Sequence, residues 1–105
     1  MKENKEIYFA GVSKRYYTFR FYSLTDELPE TSAVYIFTKS GNGSYDPLYI
    51  GETDTLKSTI SDHEKWVCVS RWFVNALCVH FEEDATVREQ IVSDLIERQR
   101  PICND

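Results

Sequence analysis

SAVYIFTKSGNGSYDPLYIGETD, residues 32–54, is the stretch that decides the fold. Two short apolar runs, 33–38 and 47–51, flank a segment of Lys, Ser, Gly, Asn and Asp. Val, Tyr, Ile and Phe suit a pleated, half-buried surface, and Gly41 and Gly43 tolerate positive φ. The stretch is therefore predicted to form a β-hairpin with a long, mobile tip. Each strand places a Tyr before an Ile, as Tyr35-Ile36 and as Tyr49-Ile50-Gly51. An amphipathic segment starts directly afterwards, near Asp54.

Downstream of the hairpin, Asp54 or Thr53 is placed to cap a helix over about 55–66. Leu56, Ile60 and His63 recur there at helical spacing, with Thr59 on the flank between Leu56 and His63. Residues 66–72, WVCVSRW, fit either a loop or a short buried segment. ALCVHF, residues 76–81, reads as the third strand of the main sheet. Glu82, Glu83 and Asp84 then set negative charge where a helix macrodipole favours it. The last helix is predicted over about 85–98, with Val87, Ile91 and Leu95 as its stripe and Val92 and Ile96 beside it.

Upstream, aromatic and polar residues alternate over 6–10 and 15–24, around a turn at Gly11-Val12-Ser13-Lys14. Tyr17, Phe19 and Phe21 share one strand face; Tyr16, Thr18, Arg20 and Tyr22 share the other. Packing is the preferred role of this hairpin. The alternative is an aromatic and basic platform of Lys14, Arg15, Arg20 and the tyrosines on which bases stack. Residues 25–30, TDELPE, are a polar connection in which Pro29 keeps the strand from running on.

A chain of 105 residues, 42% hydrophobic, is expected to be one domain with a single modest core. No apolar run approaches the ~20 residues that span a bilayer, and MKENKEIYFAG is too polar for a signal peptide. Three cysteines without paired spacing imply reduced thiols and a cytoplasmic location. The net charge of −5 lowers the expectation of nonspecific DNA binding, which depends on Lys and Arg. Cys78-Val79-His80 puts two ligand types on one strand face, yet the cysteines and histidines show no metal-ligand spacing.

The ordered motifs resemble the GIY-YIG nuclease superfamily. Its first motif stands as Val34-Tyr35-Ile36, with Ala33 where a Gly is usual, and its second is intact as Tyr49-Ile50-Gly51. The stretch with Tyr-Ile-Gly-Glu followed by His63 and Trp66 is similar to one subgroup. So is an ending with Arg88, Leu95-Ile96, Pro101 and Asn104. The likeness covers nearly all of the chain. It implies an α/β fold: a small antiparallel sheet, made of an N-terminal hairpin (1–31) and a three-stranded core (32–105), with flanking helices.

The resemblance also implies metal-dependent hydrolysis of a phosphodiester. In such a site the first Tyr acts as or positions the general base, and the second orients the site. An Arg on the first helix meets phosphate charge, a Glu on the last helix binds Mg²⁺ or Mn²⁺, and a terminal Asn supports them. Tyr35, Tyr49 and Asn104 match residue by residue. Thr59 occupies the Arg position and Val92 the Glu position; Thr cannot grip a phosphate in two places and Val has no oxygen for a metal. His63 is read either as a general base or as a packed, hydrogen-bonded side chain. Gly51, Glu52, Lys57 and Arg88 are expected at the binding surface, with Glu89 or Glu52 as metal ligand only if the role has moved.

Three functions follow. The favoured one is an inactive or impaired GIY-YIG-like module, without a cofactor, that binds a protein or nucleic acid. The second is an active endonuclease with relocated residues and Mg²⁺ or Mn²⁺. The third is a structural or regulatory subunit without nucleic-acid contact. No membrane partner is expected.

Overall fold

A computed structural model of the protein describes residues 5–104, so the reading of the polar N-terminus falls in part on residues 1–4, outside the described residues. The alternating segments and the apolar runs become β1 (Glu6–Ala10), β2 (Tyr16–Ser23), β3 (Ala33–Gly41), β4 (Ser44–Thr53) and β5 (Ala76–Phe81). They form one antiparallel sheet in the order β1-β2-β5-β3-β4. The N-terminal hairpin thus joins the other three strands through β5, which lies at the centre. Helices α1 (Leu56–Ser61), α2 (Trp66–Arg71) and α3 (Ala85–Gln99) complete an α/β domain.

The sheet splits the core. On one face Tyr35, Phe37, Leu77 and Val79 pack against Leu56 and Ile60 of α1 and Val69 of α2. On the other, Phe19, Val34, Ile36 and Cys78 pack against Ile91 and Leu95 of α3. The expected single core is therefore two clusters, because strands buried on both faces carry apolar side chains in both directions. Tyr17, Phe19 and Phe21 lie on the α3 side, with Phe19 fully enclosed, which supports packing over a stacking platform on that face.

Three local expectations need correcting. The hairpin has no long tip: β3 and β4 run on until Gly41 pairs with Ser44, and Asn42-Gly43 turns the chain with φ of 52° and 80°. Asn-Gly suits a two-residue turn with both residues left-handed, a signal that outweighs the surrounding polarity. The helix expected over 55–66 stops at Ser61, and a second one starts at Trp66. Its first turn is capped by neither Asp54 nor Thr53. The carboxylate of Glu30 instead accepts the Ser58 backbone N–H at 3.0 Å and the Ser58 hydroxyl. At α3 the expected acidic start holds, since Asp84 Oδ1 accepts from Thr86 and Val87 N–H at 2.9 and 3.2 Å.

The cysteines are not all reduced. Cys68 of α2 and Cys103 form a disulfide, and Cys78 is left free and buried. Spacing gave no sign of this pair, because it arises from the path of the last residues along the free edge of β4. There Cys103 N–H donates to the Leu48 carbonyl at 2.9 Å. Asn104 then closes both sides of Ile50: its Oδ1 accepts from Ile50 N–H and its Nδ2 donates to the Ile50 carbonyl, each at 2.9 Å. An edge that would otherwise invite pairing is covered. Among the described residues no helix is long and apolar enough to cross a membrane.

Candidate functional site

One irregularity in β4 builds the site. Phe37 pairs with Tyr49 and Thr38 with Pro47, which leaves Leu48 as an extra, bulged residue. The bulge turns Leu48 and Tyr49 to the same face, so Tyr49 packs beside Tyr35 and Phe37 while Ile50 goes to the α3 side. Gly51, opposite Tyr35 in register, makes room for both rings. A Cβ there would lie 2.6 Å from Tyr35 Oη and 2.9 Å from Tyr49 Cε2.

His63 enters from the break between α1 and α2. Its ring centroid lies 5.1 Å from Phe37, 5.2 Å from Tyr49 and 5.5 Å from Tyr35, each edge to face. Its Nδ1 accepts the Lys65 backbone N–H at 3.0 Å. A neutral imidazole with Nδ1 as acceptor carries its proton on Nε2. The 2.6 Å contact between Nε2 and Tyr35 Oη is thus a donation from histidine to tyrosine. Both ring nitrogens are in use, and the Tyr35 proton is left free for another acceptor.

Burial sets the titration of this cluster. Removal from water pushes Tyr35 well above the ordinary tyrosine range, with Tyr49, Glu52 and Glu64 adding to the shift. Tyr49 is raised by burial and then by Glu64. His63 is lowered by burial, against an opposing pull from Glu64. The tyrosines are neutral phenols at neutral pH and the imidazole is uncharged. Because the folded value of His63 lies below the unfolded one, its contribution to stability is complete above about pH 6.5 and lost as pH falls through the window beneath. NMR at pH 7 should show an acceptor-type Nδ1 and a protonated Nε2. The melting temperature should fall from pH 7 to pH 5 by less in His63→Gln than in the parent chain.

The other expected site residues lie elsewhere. Thr59 shares a 2.6 Å hydrogen bond with Thr53 and lies 3.4 Å from the Thr55 hydroxyl, a closed cluster of three threonines. Val92 packs on the α3 side and lines an open groove with Glu52, Glu89, Ser93, Ile96 and Glu97. Asn104 serves the β4 edge. Lys57 is exposed, its Nζ 3.5 Å from Glu27.

Arg88, expected at the binding surface, is 1% exposed. It donates from Nε to Glu52 at 2.7 Å, from Nη1 to the Glu82 and Glu83 carbonyls at 2.9 and 2.8 Å, and from Nη2 to Asp54 at 2.5 Å. This is an internal brace, not a phosphate contact, and it holds Glu52 as well. One cation does approach the aromatic cluster: Lys65 Nζ lies 5.9 Å from the Tyr49 centroid. A continuous helix over 55–66 gave no reason to expect it; the break at residue 62 brings it there.

The residues of this site do not fit a hard divalent ion. Val92, where the resemblance expects a carboxylate, is aliphatic, and Glu52, one of the two expected substitutes, is bound to Arg88. Among the described residues no three His, Cys, Asp or Glu side chains group as a metal site. On β5, Cys78 is a buried thiol pushed up to about 12 by burial, and His80 donates its Nδ1 proton to the Thr18 carbonyl at 2.8 Å. The chain matches no family model, no curated protein and no solved structure.

Proposed function

We propose that this chain is a GIY-YIG-like domain that works as a binding module for another protein and does not hydrolyse phosphodiesters efficiently. The observation that carries the reading is that Thr59 is closed into a threonine cluster and Val92 is packed and aliphatic, where the likeness expects a phosphate cation and a metal carboxylate. The His63–Tyr35 pair adds that His63 is no base. With Nδ1 held by Lys65 N–H and Nε2–H given to Tyr35, the imidazole has no lone pair free to take a proton from water. The positions that would supply phosphate neutralisation and a metal ligand are Thr59 and Val92, and Arg88 is enclosed. The ordered motifs support the family likeness, which rests on them alone.

The net charge of −5 favours a protein over a nucleic acid as partner. The Cys68–Cys103 bridge removes the ground for a cytoplasmic setting, which was the expectation of reduced thiols. Fluorescence anisotropy with labelled duplex and single-stranded DNA tests the choice of partner. No saturable binding is expected at micromolar protein in 50 mM salt. An affinity that falls steeply with salt would favour the nucleic-acid reading. The endonuclease reading is supported by the side-by-side Tyr35 and Tyr49 rings, 6.2 Å apart, and plasmid cleavage in Mn²⁺ tests it.

A further inference from the structure

Helix α2 ends in a way that its own residues do not favour. Phe73 N–H donates to the Ser70 carbonyl at 3.1 Å and Val74 N–H to the Val69 carbonyl at 3.0 Å. With Trp72 as the cap, these crossed bonds make a Schellman motif, completed by the apolar pair Val69 and Val74. The left-handed position of that motif usually holds Gly, because any Cβ there meets the backbone. Here it holds Phe73, with φ of 67°.

Burial of the ring would offset that strain, but the ring is not buried. Phe73 and Val67 are each 71% exposed and Trp72 is 45% exposed. Among the described residues the contact to this ring is a cation, the Lys39 ammonium, and not an apolar pocket. Strain at an exposed position points outward, to a contact made beyond the fold. One cation reaches the Phe73 ring, and a second precedes Trp72 in the chain. Lys39 stands opposite Asp46 in the hairpin register, yet its ammonium lies 5.6 Å from the Phe73 centroid and makes no ion pair with Asp46 among the described residues. Arg71 is exposed in the last turn of α2.

We propose that Val67, Trp72 and Phe73, with Lys39 and Arg71 at their margin, dock a segment of a partner protein carrying Asp or Glu beside a bulky apolar side chain. The proposal rests on the binding-module reading and gives it a surface and a partner chemistry. Opposite charge at the margin selects an acidic segment, while the aromatic pair supplies desolvated contact area. Two cations on a chain of net charge −5 are too few to hold a phosphate backbone.

The test is selection of random twelve-residue peptides displayed on phage against the parent chain, followed by affinities of the enriched peptides. Enriched peptides should pair Asp or Glu with Leu, Phe or Trp. Their dissociation constants should rise at least tenfold on Phe73→Gly and on Lys39→Glu. Phe73→Gly should at the same time raise the melting temperature by roughly 2–8 °C, since Gly relieves the left-handed strain. Weaker binding in a more stable protein separates a docking role from a structural one.

The proposal is overturned by the absence of any enriched sequence class, by enrichment in Lys and Arg, or by peptides that bind Phe73→Gly as well as the parent. It is also overturned if oligothymidylate, or a second copy of the chain, binds through Phe73 in place of an acidic peptide. Plasmid cleavage by the chain would overturn the module reading instead, so the two failures are distinct.

Discussion

Arg88→Ala should lower stability by about 3–5 kcal/mol, the range for removing one partner from a buried charged network. For a domain of this size that corresponds to a fall in melting temperature of more than about 12 °C. The guanidinium ties the start of α3 to the end of β4: two loop carbonyls, Glu52 and Asp54 all lose a donor at once. The Asp54 contact contributes least, because that carboxylate is 80% exposed. Most of the loss comes from Glu52 and from the Glu82 and Glu83 carbonyls, which are left without their partner beside a cavity. Arg88→Lys keeps the charge but not the planar fork, so it should fall between the parent and the alanine variant. Thermal melts of the three proteins check this. Equal melting temperatures would mean that the brace contributes nothing.

Gly51→Ala should break the Tyr35–His63 pair. The new methyl carbon would sit 2.6 Å from Tyr35 Oη and 2.8 Å from its Cζ, well inside contact distance. Tyr35 cannot step aside freely, since it is 3% exposed and wedged among Phe37, Tyr49 and His63. A cost of roughly 1–3 kcal/mol is expected from overpacking. The His63 Nε2–H resonance should shift as its acceptor leaves. Tyr35→Phe removes the atom closest to the new methyl, so the double variant should be more stable than the sum of the single losses requires. Strict additivity would place the methyl somewhere other than under Tyr35.

The sheet was readable because β1 and β2 alternate while β3, β4 and β5 carry short apolar runs. β1, β5 and the stripe on α3 lie almost where those patterns set them, and Asp84 announces the start of α3. What the sequence hid depends on through-space partners. The cap of α1 comes from Glu30, 28 residues before Ser58 in the chain. Cys68 finds Cys103 across a separation of 35 residues because the chain end follows β4. Helical spacing of Leu56, Ile60 and His63 runs smoothly through residue 62, so the break there left no trace in the pattern. It is this break that turns His63 into the tyrosines and brings Lys65 over Tyr49.

The site shows the same division. Tyr35, Tyr49, Gly51 and His63 were singled out from their motifs, and they do pack together. Arg88 was expected at the binding surface from its place in the motif-like ending; its burial follows from four acceptors that converge only in the folded chain. Thr59 and Val92 were noticed for what they lack. Phe73 drew no notice at all, since its significance is a backbone angle.

The most direct test of the account is incubation of the purified chain with supercoiled plasmid in Mn²⁺, at a molar excess of protein and over many hours. The plasmid is expected to stay supercoiled, because the imidazole has no free lone pair and Thr59 and Val92 stand where the resemblance expects the phosphate cation and the metal carboxylate. Mn²⁺-dependent nicking by the parent chain that disappears in Tyr35→Phe would contradict it.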